Sequence, residues 1–103
     1  MEKDLQKKAI NYLKTFGDDI YAIKTIQSNR KGVSDIICSI LGRFTAFELK
    51  DKGKKAKKLQ LREIEKVKKS KGRGFVVDNF ETFKYLVDKC YEEELKRWKS
   101  SSY

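Results

Sequence analysis

Hydrophobic positions recur every three or four residues in three segments of the chain, and this spacing predicts three helices. The first segment covers residues 2–16, the second runs from the lysine-rich stretch at 51–58 to about residue 70, and the third covers about 80–98. Gly17 is placed to end the first helix, and Asn79 is placed to cap the third. The apolar positions of the first helix are Leu5, Ala9, Ile10, Leu13 and Phe16.

Four shorter segments rich in β-branched and aromatic residues predict strands at 20–27, 34–41, 44–50 and 74–80. Gly42-Arg43 separates the middle two, which predicts a type II′ hairpin and antiparallel pairing. A helix between the third and fourth strands favours a parallel addition. We therefore expect an α/β fold of order α-β-β-β-α-β-α with a mixed four-stranded sheet flanked by helices. It would form one domain over residues 1–98, followed by a disordered tail at 99–103.

Two carboxylates and a lysine interrupt the two middle strands. If Gly42 and Arg43 form the loop, Asp35 lies opposite Lys50, Glu48 is diagonal to Asp35, and all three share one face. Carboxylates about 7–8 Å apart at the backbone can hold one cation between them. An ordinary cross-strand salt bridge between Asp35 and Lys50 is the alternative. The surrounding residues are apolar on both faces, so buried acids without a cation would be costly, and this favours the cation site.

The residue composition and the net charge restrict the possible chemistry further. Among 103 residues, 25 Lys and Arg outnumber 15 Asp and Glu, and the net charge of +10 favours a polyanionic partner such as nucleic acid. The chain has no histidine, and Cys38 and Cys90 form no metal-binding motif, so a metal would be held by oxygen ligands, which points to Mg²⁺ or Mn²⁺. No apolar run approaches the ~20 residues of a membrane span, so we expect a soluble, cytoplasmic protein without a membrane partner. A basic membrane-surface protein is a further alternative, and it is disfavoured because the basic residues lie in loops and helix starts rather than along an amphipathic helix.

Basic residues cluster just before and just after the two strands that carry the acids. We expect them to contact DNA phosphates and to recognise shape rather than base sequence. They are Arg30, Lys31, Lys52, Lys54, Lys55, Lys57 and Lys58.

The segments G-V-S-D-I (32–36) and F-E-L-K (47–50), a helical glutamine at 60 and the N-terminal E-x-x-x-Q together resemble one nuclease family. This is the VRR-NUC branch of the PD-(D/E)xK superfamily, and the chain is most similar to the minimal stand-alone domains of phages. The resemblance covers about residues 1–88, with Ser34 where the superfamily name has proline. It implies a restriction-endonuclease-like core and a Mg²⁺- or Mn²⁺-dependent DNA endonuclease that cuts branched DNA such as Holliday junctions.

The resemblance also implies roles for individual residues. Asp35 and Glu48 would hold the metal, together with the backbone carbonyl of Leu49. Lys50 would orient the attacking water and offset charge in the transition state. Glu2 would complete the metal shell, although a glutamate in a first helical turn is also favoured by the helix dipole alone.

Gln60 falls on the apolar face of the second helix with Ala56, Ile64 and Val67, where a glutamine is unexpected. The resemblance implies that it points at the catalytic lysine and the scissile phosphate. The alternative is a glutamine at the edge of the helix that bonds to backbone.

A non-catalytic DNA-binding protein with a nuclease-like fold is the alternative function, and the complete set of Asp35, Glu48 and Lys50 argues against it. We further expect a homodimer, because resolving a four-way junction takes paired cuts related by near two-fold symmetry. Tyr91, Leu95 and Trp98 form a stripe on the last helix that could supply the contact.

Overall fold

The computed structural model of the chain describes residues 2–25 and 34–101, apart from the side chains of residues 2 and 101. Helices and strands follow the predicted order, and a 3₁₀ turn (Gly17–Asp19) precedes the first strand. The elements are α1 (Glu2–Lys14), β1 (Ile20–Lys24), β2 (Ile36–Ile40), β3 (Arg43–Leu49), α2 (Lys58–Lys69), β4 (Arg73–Val77) and α3 (Phe80–Ser101).

The four strands form one sheet in the order β1-β2-β3-β4. The first two pairings are antiparallel and the β3–β4 pairing is parallel. This confirms the mixed sheet that the sequence predicted, because the long α2 crossover allows β4 to run in the same direction as β3.

One face of the sheet is covered by α1 and α3 and contains the main core. Strand alternation directs Ile36, Cys38 and Ile40 to this face, where all three are buried. Phe47 of β3 lies there too, with its ring centroid 4.7 Å from that of Phe83 in α3.

The other face is covered by α2, which packs against β3 and β4. Ile64 of α2 lies so close to β4 that a Cβ at Gly74 would be 3.0 Å from its Cγ2, so a larger residue there would force Ile64 to shift by a few tenths of an ångström. The β1 side of this face is open, since Tyr21 and Ile23 are 73% and 42% exposed.

The hairpin between β2 and β3 differs from the prediction. Its loop consists of Leu41 and Gly42, with φ of 48° and 91°, while Arg43 already pairs with Ile40. Two positive φ values are typical of a type I′ turn, so the predicted type II′ turn at Gly42-Arg43 was wrong. The pairing shifts by two residues, and an even shift leaves every side chain on its predicted face.

Several boundaries also differ. Residues 51–57 form a loop before α2 begins at Lys58, and α3 continues to Ser101, three residues beyond its predicted end at about residue 98. Asn79 caps α3 as predicted, because its Oδ1 accepts the N–H of Thr82 at 2.8 Å. Within residues 2–25 and 34–101, no helix is long and apolar enough to cross a membrane.

Candidate active site

Glu48 is the central side chain of the candidate site. It lies near the end of β3, faces α2 and is 2% exposed. Its Oε2 accepts a hydrogen bond from Nε2 of Gln60 at 2.7 Å, and Nζ of Lys50 lies 3.7 Å from the same oxygen. A buried carboxylate is costly unless it is paired and hydrogen-bonded, and here a cation and an amide both act on it.

Gln60 is oriented by the start of α2. Its Oε1 accepts the backbone N–H of Lys57 at 2.7 Å, so one end of the amide caps the helix while the other end holds Glu48. The carboxylate of Glu48 therefore lies at the positive end of the α2 dipole. This explains the glutamine on an otherwise apolar face: it contacts Glu48, whereas the sequence interpretation pointed it at the lysine and the phosphate.

Asp35 lies just before β2 and is held by the neighbouring strand. Its Oδ2 accepts the backbone N–H of Leu49 at 2.8 Å, and its own carbonyl accepts the N–H of Thr25 at 2.9 Å. Continuing the β2–β3 pairing by one residue places Asp35 opposite Glu48, not opposite Lys50 as expected. Lys50 instead lies beside Glu48, two residues after it in the chain, and Asp35 and Glu48 are directly opposite rather than diagonal in the register.

The donors at this point suit a hard cation. Asp35, Glu48 and the Leu49 carbonyl supply oxygen atoms, and Mg²⁺ needs only one or two carboxylates because waters and phosphate complete its octahedron. No cluster of three or more acidic, cysteine or histidine side chains forms within residues 2–25 and 34–101. Glu2 is the first residue of α1, and its side chain lies outside the described part, so its proposed contribution stays a prediction.

The lysine-rich loop follows Lys50 directly and is tied to the end of β4. The N–H of Lys50 donates to the Val77 carbonyl at 2.8 Å, and the N–H of Gly53 donates to Asp78 Oδ2 at 3.0 Å. The Gly53 hydrogen bond, with a second one from Asn79, lowers the pKa of Asp78 below its ordinary value. The loop and the first residue of α2 present a set of exposed cations beside the site: Lys52, Lys54, Lys55, Lys57 and Lys58. The other two predicted DNA contacts, Arg30 and Lys31, lie outside the described residues.

A second charged cluster, which the sequence did not predict, lies at the hairpin end of the sheet. Glu94 of α3 is 2% exposed, and its carboxylate is within 3.3 Å of Arg43, 2.9 Å of Arg73 and 3.2 Å of Arg97. Of these three contacts, the sequence could indicate only the one between Glu94 and Arg97, because these residues are three apart on one helix. The other two partners come from distant strands.

The apolar stripe predicted on the last helix is divided between core and surface. Tyr91 is half-buried: its ring lies 4.9 Å from that of Phe16, its hydroxyl donates to Asp19, and it packs against the core. Trp98 is 56% exposed, and its indole N–H donates to the Leu41 carbonyl at 2.8 Å. The stripe is therefore not a continuous free surface.

Comparisons with known proteins bear on the fold. No protein-family model matches the chain, and neither does any curated protein. A solved structure described as a VRR_NUC domain superposes with a TM-score of 0.73 and 28% sequence identity, over 84% of this chain and 94% of that one. The likeness covers nearly all of that domain and includes both the mixed sheet and its flanking helices. The chain therefore has the fold of a VRR-NUC domain, a nuclease-type fold, as its sequence motifs predicted.

Proposed function

We propose that the protein is a Mg²⁺- or Mn²⁺-dependent, structure-specific DNA endonuclease that hydrolyses phosphodiester bonds in branched DNA such as Holliday junctions. The observation that carries this proposal is the convergence of Lys50 and Gln60 on one oxygen of the buried Glu48, with Asp35 on the adjacent strand. A carboxylate pair beside a lysine and an amide provides what phosphodiester hydrolysis requires: cation ligands, a positive charge and a hydrogen-bond donor.

Asp35, Glu48 and the Leu49 carbonyl would hold the cation, and Glu2 would complete its shell. When bound, such a cation polarises the phosphate and lowers the pKa of bound water. Asp35 is fixed by the N–H of Leu49, so the oxygens would meet the metal in a preset arrangement.

Lys50 would orient the attacking water and stabilise the charge that develops on the phosphate. Its side chain is 15% exposed, so its ammonium group acts in a partly desolvated setting, where a charge has a stronger effect than in bulk water. Gln60 is a positioning residue, because it acts on the reaction by holding Glu48.

The exposed lysines of the 51–58 segment would contact DNA phosphates next to the cut. Replacing Lys54, Lys55, Lys57 and Lys58 with serine should weaken binding to duplex, flap and junction DNA alike. Each lost phosphate contact should reduce the slope of log affinity against log salt by about 0.9 on duplex DNA. An unchanged slope would mean that these lysines do not contact phosphates and serve only to keep the protein soluble.

We also propose that the working form is a homodimer, since one site cuts one strand and a four-way junction needs two symmetric cuts. Because Tyr91 packs against the core of its own chain, the complete stripe of Tyr91, Leu95 and Trp98 cannot form the dimer contact. The contact must therefore include other surface residues. Light scattering at tens of micromolar protein, with and without junction DNA, tests this. A monomer under both conditions contradicts it.

The decisive experiment incubates the protein with labelled duplex, flap, splayed-arm and four-way-junction DNA in Mg²⁺, Mn²⁺, Ca²⁺ or EDTA. We expect cleavage of branched substrates in Mg²⁺ or Mn²⁺ and none in EDTA. Asp35→Asn, purified identically, is the control for contaminating nucleases, and equal cleavage by both proteins would exclude this site. Binding of every substrate without any cleavage would favour the non-catalytic alternative.

A further inference from the structure

A groove of about 860 Å³ lies at the hairpin end of the sheet. Its walls are the β2–β3 hairpin, the connection from α2 to β4 and the last turns of α3. Arg43 in this groove and Glu48 in the candidate site are five residues apart on β3, which corresponds to about 17 Å. The groove is therefore separate from the carboxylates.

The groove is positively charged. Its lining includes four cations, Arg43, Lys71, Lys96 and Arg97, and a single acid, Glu94. That acid is buried and forms ion pairs with Arg43, Arg73 and Arg97, so it offsets one of the arginine charges and the lining keeps an excess of three positive charges. Lys71 and Lys96 are exposed and direct their charge to solvent.

An aromatic surface accompanies these charges. Trp98 lines the groove with 56% of its surface exposed, and the indole N–H bond to the Leu41 carbonyl fixes one edge of its ring. Phe44, on another wall, is 45% exposed. Cations beside an exposed aromatic ring are the combination that binds single-stranded nucleic acid, where bases stack on the ring and phosphates meet the cations.

We infer that this groove binds a single-stranded segment of DNA, with a base stacked on Trp98 and phosphates at Lys71, Lys96 and Arg97. An unpaired base is required, since the faces of bases inside a duplex are covered by their neighbours. The inference rests on the proposed function in taking DNA as the partner. It adds a contact at the opposite end of β3 from Glu48 that would hold an unpaired arm of a branched substrate.

Trp98 is the only tryptophan in the chain, so its fluorescence reports on this groove directly. The first measurement titrates Asp35→Asn protein in EDTA with the oligonucleotide dT8 and, separately, with a blunt duplex. We expect dT8 to quench the fluorescence and the duplex to have little effect. No quenching by dT8, or equal quenching by duplex, would overturn the inference.

The role of the groove cations is tested with two double variants, each of which removes two positive charges. Lys71→Asn with Lys96→Ser removes two groove cations, and asparagine suits the φ of 75° at position 71. Lys8→Ser with Lys89→Ser removes two exposed cations that do not line the groove. We expect the groove pair, but not the control pair, to reduce the salt slope for dT8 by about 1.4, or 0.7 per lost contact on a single strand. Equal slopes for the two pairs would contradict the inference.

Stacking is tested by the anisotropy of labelled dT8 with Trp98→Ala and Trp98→Phe. Alanine should weaken binding about 5- to 150-fold, while phenylalanine, which keeps a ring, should retain most of the affinity. Loss of affinity to the same extent in both would refute stacking. A dimer interface at Trp98 would also quench the fluorescence and would contradict the inference. Sedimentation of the same mixtures tests for it, and we expect dT8 to quench the fluorescence without any change in the oligomeric state of the protein.

These measurements separate the inference from the proposed function. Quenching without any cleavage would keep the groove and reject the nuclease. Cleavage of junction DNA without quenching by dT8 would keep the nuclease and reject the groove.

Discussion

The face of the sheet beneath α1 and α3 is closed and, apart from the Glu94 cluster at its hairpin end, mainly apolar, whereas the face beneath α2 is only partly covered and carries the charged groups of the candidate site. Phe47 and Glu48 show the contrast, because they are adjacent in β3 and are 0% and 2% exposed. Phe47 packs against Phe83, while Glu48 is bonded to Gln60 and paired with Lys50. Strand alternation thus assigns stability and chemistry to opposite faces of the same strand.

The two faces of the sheet are covered unequally because the helices that lie over them differ in number and length. On the closed face, the 13 residues of α1 and 22 residues of α3 lie over the sheet, but on the other face α2 supplies only 12. A short helix over β3 and β4 leaves Tyr21 and Ile23 of β1 exposed. It also brings its N-terminus to Glu48, whose carboxylate accepts the hydrogen bond from Gln60 in the first turn of α2.

The largest effect should come from Glu48→Gln. We expect cleavage to fall about 10³-fold or more, because Glu48 is a proposed metal ligand, while the free energy of unfolding stays the same or rises as a buried charge is removed. Cleavage kinetics and urea unfolding on the same preparation check this. A loss of stability of several kcal/mol would show that Glu48 serves the fold instead.

Phe47→Ala should have the opposite profile. Removing a fully buried ring from the closed face should lower the free energy of unfolding by about 3–5 kcal/mol, a large part of the ~5–15 kcal/mol typical of a domain. Urea unfolding measures the change, and Phe47→Leu provides a milder variant if the alanine protein does not fold. A cost below about 1 kcal/mol would contradict the assignment of Phe47 to the core.

Gln60→Glu should reduce activity about 10- to 100-fold if Glu48 is a metal ligand as proposed, since Gln60 then orients that ligand. The glutamate keeps an oxygen for the N–H of Lys57 but loses the amide donor to Glu48. Gln60→Ala removes both contacts and should also lower the free energy of unfolding by up to about 1 kcal/mol. If Gln60→Glu cleaves at the wild-type rate, the contact with Glu48 has no role in the reaction.

The smallest effect concerns α1 and α3 on the closed face. The Tyr12 hydroxyl donates to Asp88, and burial together with that bond raises the pKa of Tyr12 to about 12 from its ordinary 10. A raised pKa means that the folded state favours the protonated phenol, so this stabilisation is complete below pH 10 and is lost as pH rises toward 12.

Tyr12→Phe should therefore be less stable than wild type at pH 8 and should show a flatter decline of unfolding free energy above pH 10. Denaturant unfolding at several pH values measures both. The pKa of Tyr91, raised by its bond to Asp19, leaves some decline in the variant. Identical pH curves for the two proteins would show that the Tyr12–Asp88 bond contributes nothing.

The sequence predicted the order of elements and the face that carries Asp35, Glu48 and Lys50, because both depend on local periodicity. The predicted hairpin loop was wrong, but the three side chains still lie on the predicted face. A shift of two residues in the strand pairing leaves each side chain on the same side of the sheet. The turn was missed because Leu41 adopts a left-handed conformation that leucine seldom takes, and no local residue signals it. The ion pairs of Glu94 were missed for the related reason that their partners are distant in the chain.

The hydrogen bond from Trp98 to the Leu41 carbonyl joins residues 57 positions apart. It fastens the turn that sets the β2–β3 register to the last turns of α3. A ribosome adds residues from the N-terminus onward, so the hairpin and every residue of the VRR-NUC motif are made well before Trp98 is added. In a newly made chain the hairpin must therefore hold its register without this bond. A protein truncated before Trp98 would keep all the motif residues and never gain the bond.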